Sequence, residues 1–145
     1  MSLAMNNSTL YSACEQGDLA LANEAIMKGA DHWNGGFWAA CRGGDKELVK
    51  LMIGKGANYC NGGLYAACEG GHKELAELMI SEGADDLNEG LYSSCETGYK
   101  ELAEFMIAKG LYRTYRRGHR EIAELMTKCG AINSEKYLAI VNKKQ

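Results

Sequence analysis

Six cysteines and three histidines are the residues of this chain best suited to chemistry, because thiolates and imidazoles serve as nucleophiles, bases and metal ligands. Cys14, Cys41, Cys68 and Cys95 recur at a fixed interval of 27 residues. Zinc ligands come in closely spaced pairs, and this interval resembles no such pattern. His32, His72 and His119 are scattered. No glycine-rich phosphate loop follows a strand, and no nucleophile motif or metal-ligand cluster is present. An enzyme is therefore not expected, nor a cofactor or metal. What remains is the chemistry of recognition. Aromatic rings recur at Tyr11, Trp38, Tyr65, Tyr92 and Tyr112, and charges recur four residues on at Arg42, Glu69, Glu96 and Arg116. Arg113, Arg117 and Arg120 gather around the last of these.

The 27-residue interval belongs to the whole chain. Residues 10–36, 37–63 and 64–90 are copies of one another, as in LYAACEGGHKELAELMISEGADDLNEG for the third. A shortened fourth copy covers 91–110 and a fifth covers 111–133. Repetition at such a period is the signature of a solenoid. Each copy parses into two helices. The first carries Leu64, Ala67 and Cys68 on one face and ends at Gly70-Gly71. The second opens at Asp18, Asp45 or His72, where Asp is a good cap, and ends at a glycine such as Gly83. Its apolar stripe is Leu75, Leu78 and Met79. One hairpin cannot bury its own apolar face, so copies must stack and the ends need caps. Glu24 and Ala25 replace the Leu51/Met52 pair in the first copy, which leaves that helix partly facing water. A C-terminal segment, 134–145, supplies a last helix capped by Ser134. The expected fold is an all-α solenoid of about five helix-turn-helix repeats in a single domain.

The residues that carry a family likeness are now visible. Leu64-Tyr65-Ala66-Ala67-Cys68-Glu69-Gly70-Gly71-His72, the helix after it, and Gly83-Ala84-Asp85 with Asn88 resemble the ankyrin repeat over residues 10–133. The resemblance implies stacked antiparallel helix pairs that recognise another protein on their concave side. Two features depart from the family pattern. The Thr-Pro-Leu-His opening is missing, with an aromatic residue in place of the His. The period is about six residues short of the usual 33, and the loss falls where ankyrins carry a β-hairpin finger. Inner helices then become the expected contact surface.

Stacked helices lie about 8–10 Å apart, whereas a disulfide needs Cα atoms within about 7 Å. The four periodic cysteines are therefore expected to be buried, reduced thiols, which points to the cytoplasm or a host cytosol. The rings read in two ways: as packing that fills the space of the lost turn, which strict periodicity favours, or as anchors for a partner. Specificity is expected where copies differ, at Ser12/Ala39/Ala66/Ser93/Arg113, Glu15/Arg42/Glu69/Glu96/Arg116 and Gln16/Gly43/Gly70/Thr97/Arg117. The expected partner-binding set is Trp38, Arg42, Tyr65, Glu69, Tyr92, Glu96, Tyr112, Arg113, Arg116 and Arg117.

Charge is uneven. Residues 1–110 hold 8 Lys/Arg against 16 Asp/Glu, and residues 111–145 hold 8 against 3. The basic fifth copy offers a polyanion or nucleic-acid site as the alternative to a protein partner. A net charge of −3 and the lack of a broad basic face make nucleic acid the lesser candidate. No apolar run reaches the roughly 18 residues of a membrane span, so no transmembrane helix is expected; the chain is expected to be a monomer.

Overall fold

The computed structural model describes residues 2–110 and Gly130. Among them are eight helices and no strand: α1 (Leu3–Gln16), α2 (Leu19–Met27), α3 (Trp33–Gly43), α4 (Lys46–Lys55), α5 (Cys60–Gly70), α6 (Lys73–Ser81), α7 (Leu87–Glu96) and α8 (Lys100–Gly110). The chain forms two compact units, residues 1–85 and 86–145. In the first, α1, α3 and α5 lie side by side, and α2, α4 and α6 fold back on them as hairpin partners. In the second, α7 and α8 form a hairpin of the same kind. The fifth copy, the 110–111 junction and the C-terminal helix lie outside the described residues.

The helix punctuation follows from side-chain and backbone chemistry. Asp18 and Asp45 cap the outer helices by accepting from Leu21 N and Leu48 N, each at 2.9 Å. His72 makes no such cap. Its Nε2 instead lies 3.0 Å from the carbonyl oxygen of Arg42, at the end of the neighbouring inner helix. Gly44 and Gly71 close α3 and α5 in the left-handed conformation at φ 87° and 79°, where a side chain would be strained.

Residues 30–36, between Gly29 and the start of the second copy at Phe37, are not all loop. Four of them, Trp33-Asn34-Gly35-Gly36, form the first turn of the following inner helix. Two glycines there run against helix propensity, and tertiary contacts override it. A Cβ on Gly36 would lie 2.8 Å from Met52 Sδ, and one on Gly63 2.7 Å from Met79 Sδ. In the first copy the exchange is reversed, with Thr9 at the glycine position and Ala25 at the methionine position. Ala25 is 2% exposed, so of this pair only Glu24 faces water, where it pairs with Lys28.

The core is a set of repeated positions. Leu10, Phe37, Leu64 and Leu91 occupy one buried site, and Cys14, Cys41, Cys68 and Cys95 another. On the outer helices Leu48, Leu75 and Leu102 are buried with Met52, Met79 and Met106. Leu78 and Leu51 are only half-buried, so the helix turns Met79 inward rather than Leu78.

Two contacts set the spacing of the inner helices. A Cβ on Gly43 would overlap the carbonyl oxygen of Glu15, and one on Gly70 that of Arg42. Across the same joints runs a ladder of asparagines. Asn7 Oδ1 accepts from Asp31 N and His32 N at 2.9 and 3.0 Å. Asn34 Oδ1 accepts from Asn58 N at 3.0 Å, and Asn61 Oδ1 from Asp85 N at 2.9 Å. Each amide also donates to the facing side-chain oxygen of Asp31, Asn58 or Asp85.

Urea denaturation should separate two helical glycines that differ in what surrounds them. Gly70→Ala is expected to cost about 1–3 kcal/mol, because backbone must move to admit the methyl group. Gly54 lies inside α4 with nothing within 4 Å of its Cβ direction, so Gly54→Ala should stabilise by about 0.5–1 kcal/mol. Equal effects would refute the spacing argument. Asn34→Ala should cost about 1–2 kcal/mol, and Asn34→Asp, which keeps the acceptor, should recover part of the loss. An Asn34→Ala chain as stable as the parent would remove the ladder from the account.

Candidate partner-binding surface

Packing decides which inner-helix positions are left for a partner. Ala39 and Ala66 are fully buried and Ser93 is 4% exposed, so the first of the three variable positions is spent on packing. The third holds Gly43 and Gly70, whose lack of a side chain lets neighbouring helices approach. In the other copies that position carries Gln16, bonded to Ser12 Oγ at 2.7 Å, and Thr97, whose hydroxyl donates to Ser93 O at 2.7 Å. Both are local bonds on their own helices. Among the described residues, the second position alone combines variation with a projecting side chain: Glu15, Arg42, Glu69 and Glu96.

The aromatic position lies four residues earlier, hence on the same helical face. Tyr65 and Tyr92 are 36% and 46% exposed, and Tyr11 and Trp38 are half-buried. The rings thus reach the surface instead of filling the interior. Tyr11 stacks on Trp38 with centroids 6.2 Å apart and an angle of 18°. Arg42 lies over the Trp38 ring, 5.4 Å from its centroid. Its guanidinium also faces two carboxylates, with Nη1 3.9 Å from Glu15 Oε1 and Nη2 3.6 Å from Glu69 Oε1. In the second unit Tyr92 OH donates to Glu96 Oε1 at 2.9 Å. Trp38, Arg42, Tyr65 and Glu69 are thereby gathered on one face of the first unit, and Tyr92 and Glu96 pair in the second. Tyr112, Arg113, Arg116, Arg117 and Arg120 lie outside the described residues.

The repeating pattern found in these copies is a known one. A family pattern of three ankyrin repeats matches residues 10–88 and, shifted by one copy, residues 37–114. The chain belongs to the ankyrin-repeat family. None of the curated proteins compared with it is similar to it. Ankyrin repeats are in general protein-interaction modules and typically carry no catalysis. Among the described residues of this ankyrin-repeat chain, no helix is long and apolar enough to cross a membrane, and no group of three His, Cys, Asp or Glu could hold a metal ion.

The cysteines divide by burial. Cys14, Cys41, Cys68 and Cys95 are buried and Cys60 is half-buried, and none of these five forms a disulfide. Desolvation pushes the Cys14 thiol up to about 11, with the charge of Asp45 adding to it. Desolvation likewise raises Cys41 to about 12, with a further contribution from Cys60. Thiols held protonated in this way are poor nucleophiles. Cys60 gave no signal in the sequence. Its Sγ donates to Glu82 O at 3.6 Å, at the end of α6. Asn6 does the same one end of the molecule away, donating to Lys28 O at 2.6 Å. The two residues occupy equivalent positions, so a weak thiol donor and an amide serve the same helix terminus.

The raised thiols predict an alkaline weakening. Below pH 9 the cysteines are protonated whether the chain is folded or not. Between about 9 and the folded values of about 11 and 12, the unfolded chain loses these protons and the folded one keeps them. The unfolded state then binds fewer protons, so stability falls as pH rises. Urea midpoints from pH 8 to 10.5 should decline less steeply for Cys41→Ala than for the parent. Identical slopes would mean that Cys41 is not held protonated.

Proposed function

We propose that this ankyrin-repeat chain recognises another protein through its inner helices, with Trp38, Arg42, Tyr65 and Glu69 as contacts in the first unit and Tyr92 and Glu96 as contacts in the second, and without catalysis. The observation that carries the reading is the pairing of one projecting ring with one projecting charge, four residues apart, in each described copy. Tyr, Trp and Arg are the residue types enriched where binding energy concentrates. Charges that vary from copy to copy supply orientation and association rate more than affinity. Buried thiols outside any disulfide fit a reducing compartment such as the cytosol. In the sequence the fifth copy carries Tyr112 and Arg116 at the matching repeat positions, with Arg113 and Arg117 beside them, all outside the described residues.

Affinity capture from the source cell, quantified by mass spectrometry, tests this. Glu69→Lys with Glu96→Lys should deplete the natural partner at least about tenfold, as expected for like charges set against each other in an interface. Melting should change little, since exposed charges contribute little to stability. Normal capture by that variant, with loss on changing Arg113, Arg116 and Arg117 to Ala, would move the site to the basic fifth copy and install polyanion binding in place of this reading.

A further inference from the structure

We infer that the segment recognised by this row is basic, and that Arg42 is an internal stand-in occupying the place of the partner's arginine. The inference rests on the reading just given and assigns the chemistry of the partner to it. Among the described residues of the row in the first unit, Arg42 is the lone cation. It stands on the face of Trp38 between the carboxylates of Glu15 and Glu69. Without it, two carboxylates flank a tyrosine-backed indole, a surroundings that takes a planar cation, stacked on the ring and forked toward both acids.

Arg42 fills that place loosely. Its nitrogens are 3.6 and 3.9 Å from the carboxylate oxygens, outside normal hydrogen-bond length, and its side chain is 43% exposed. Ion pairs of this kind are worth little, so the guanidinium can swing into solvent when a better-placed cation arrives. The wider field favours such an arrival. Residues 1–85 hold 6 Lys/Arg against 11 Asp/Glu, which draws basic segments and repels acidic ones. An acidic partner would have to approach two carboxylates to reach a single arginine that they already neutralise.

The consequence is opposite in sign to that of an ordinary contact residue: removing Arg42 should tighten binding. The test uses the full isotopically labelled chain and two ten-residue peptides, one alternating Arg and Gly, the other alternating Glu and Gly. The Trp38 indole N–H resonance reports occupancy, with the Trp33 indole as internal control. The Arg-Gly peptide should move the Trp38 signal in the parent, and Arg42→Gln should tighten its Kd about three- to tenfold, the range of one or two released surface pairs. Trp38→Leu should weaken it. If Arg42→Gln weakens the Arg-Gly peptide, or the Glu-Gly peptide is the one that shifts Trp38, the basic-partner inference is overturned while the row remains a binding surface. If neither peptide shifts Trp38 in the parent or in Arg42→Gln, the inference is overturned too. The capture experiment with Glu69→Lys and Glu96→Lys then decides separately whether the row binds at all.

Discussion

Close approach between successive inner helices is the constraint from which the rest of the first unit follows. It requires that the carbonyl oxygens of Glu15 and Arg42 meet a residue without a side chain on the next helix, and Gly43 and Gly70 supply it. Once the backbones are this near, only small residues fit between them. Alanine at 39, 40, 66 and 67 and cysteine at 41 and 68 meet that demand and are all fully buried. Larger apolar groups are then confined to one site per helix, filled by Leu10, Phe37 and Leu64. A solenoid has only nearest-neighbour interfaces, so each joint must be stable by itself. The asparagine ladder serves that need, because it ties the start of one inner helix to the loop that opens the next and thereby holds the register.

How much of this was legible in the sequence depends on whether a residue's role is local. The periodic glycines, the Asp18 and Asp45 caps and the buried Leu and Cys positions are local properties, and they stood out in the repeat. Asn7 did not, because the repeat is easiest to see from Leu10 and the first asparagine lies before that. Its role depends on a partner 24 residues away. Leu78 and Met79 are adjacent apolar residues, and a helical stripe accepts either; only the hairpin partner, pressing Gly63 against Met79, turns the methionine inward. Gly43 and Gly70 resembled variable surface positions because copies one and four carry Gln16 and Thr97 there. Variation between copies marks a binding position only where the neighbour leaves room for a side chain.

The same reasoning explains why the rings are exposed in spite of their strict periodicity. Residues 10, 13 and 14 and their counterparts already fill the buried side of each inner helix. The ring position falls beside that stripe and the charged position four residues on falls with it, so neither can turn inward without displacing a packed residue. Periodicity here records the geometry of the stack, in which one surface site recurs at every copy. A ladder of amphipathic rings is compatible with solvent because Tyr92 can keep its hydroxyl bonded to Glu96, and Trp38 its faces covered by Tyr11 and Arg42.

The stack and the exposed row draw on different positions, which frees that surface to diverge. The first copy carries Thr9 and Ala25 where the second carries Gly36 and Met52. Both members of each pair belong to one helix-turn-helix unit, but Gly36 also faces Leu10 and Cys14 and Gly63 also faces Phe37, so the joint to the preceding unit shares that volume. The joints meanwhile depend on glycines, small residues and asparagines that say nothing about the row of exposed charges. Charge at that row can therefore change sign, from Glu15 to Arg42 to Glu69, without cost to the stack. Interior and surface are under separate constraints: the stack demands sameness, and recognition is written in the positions the stack does not use.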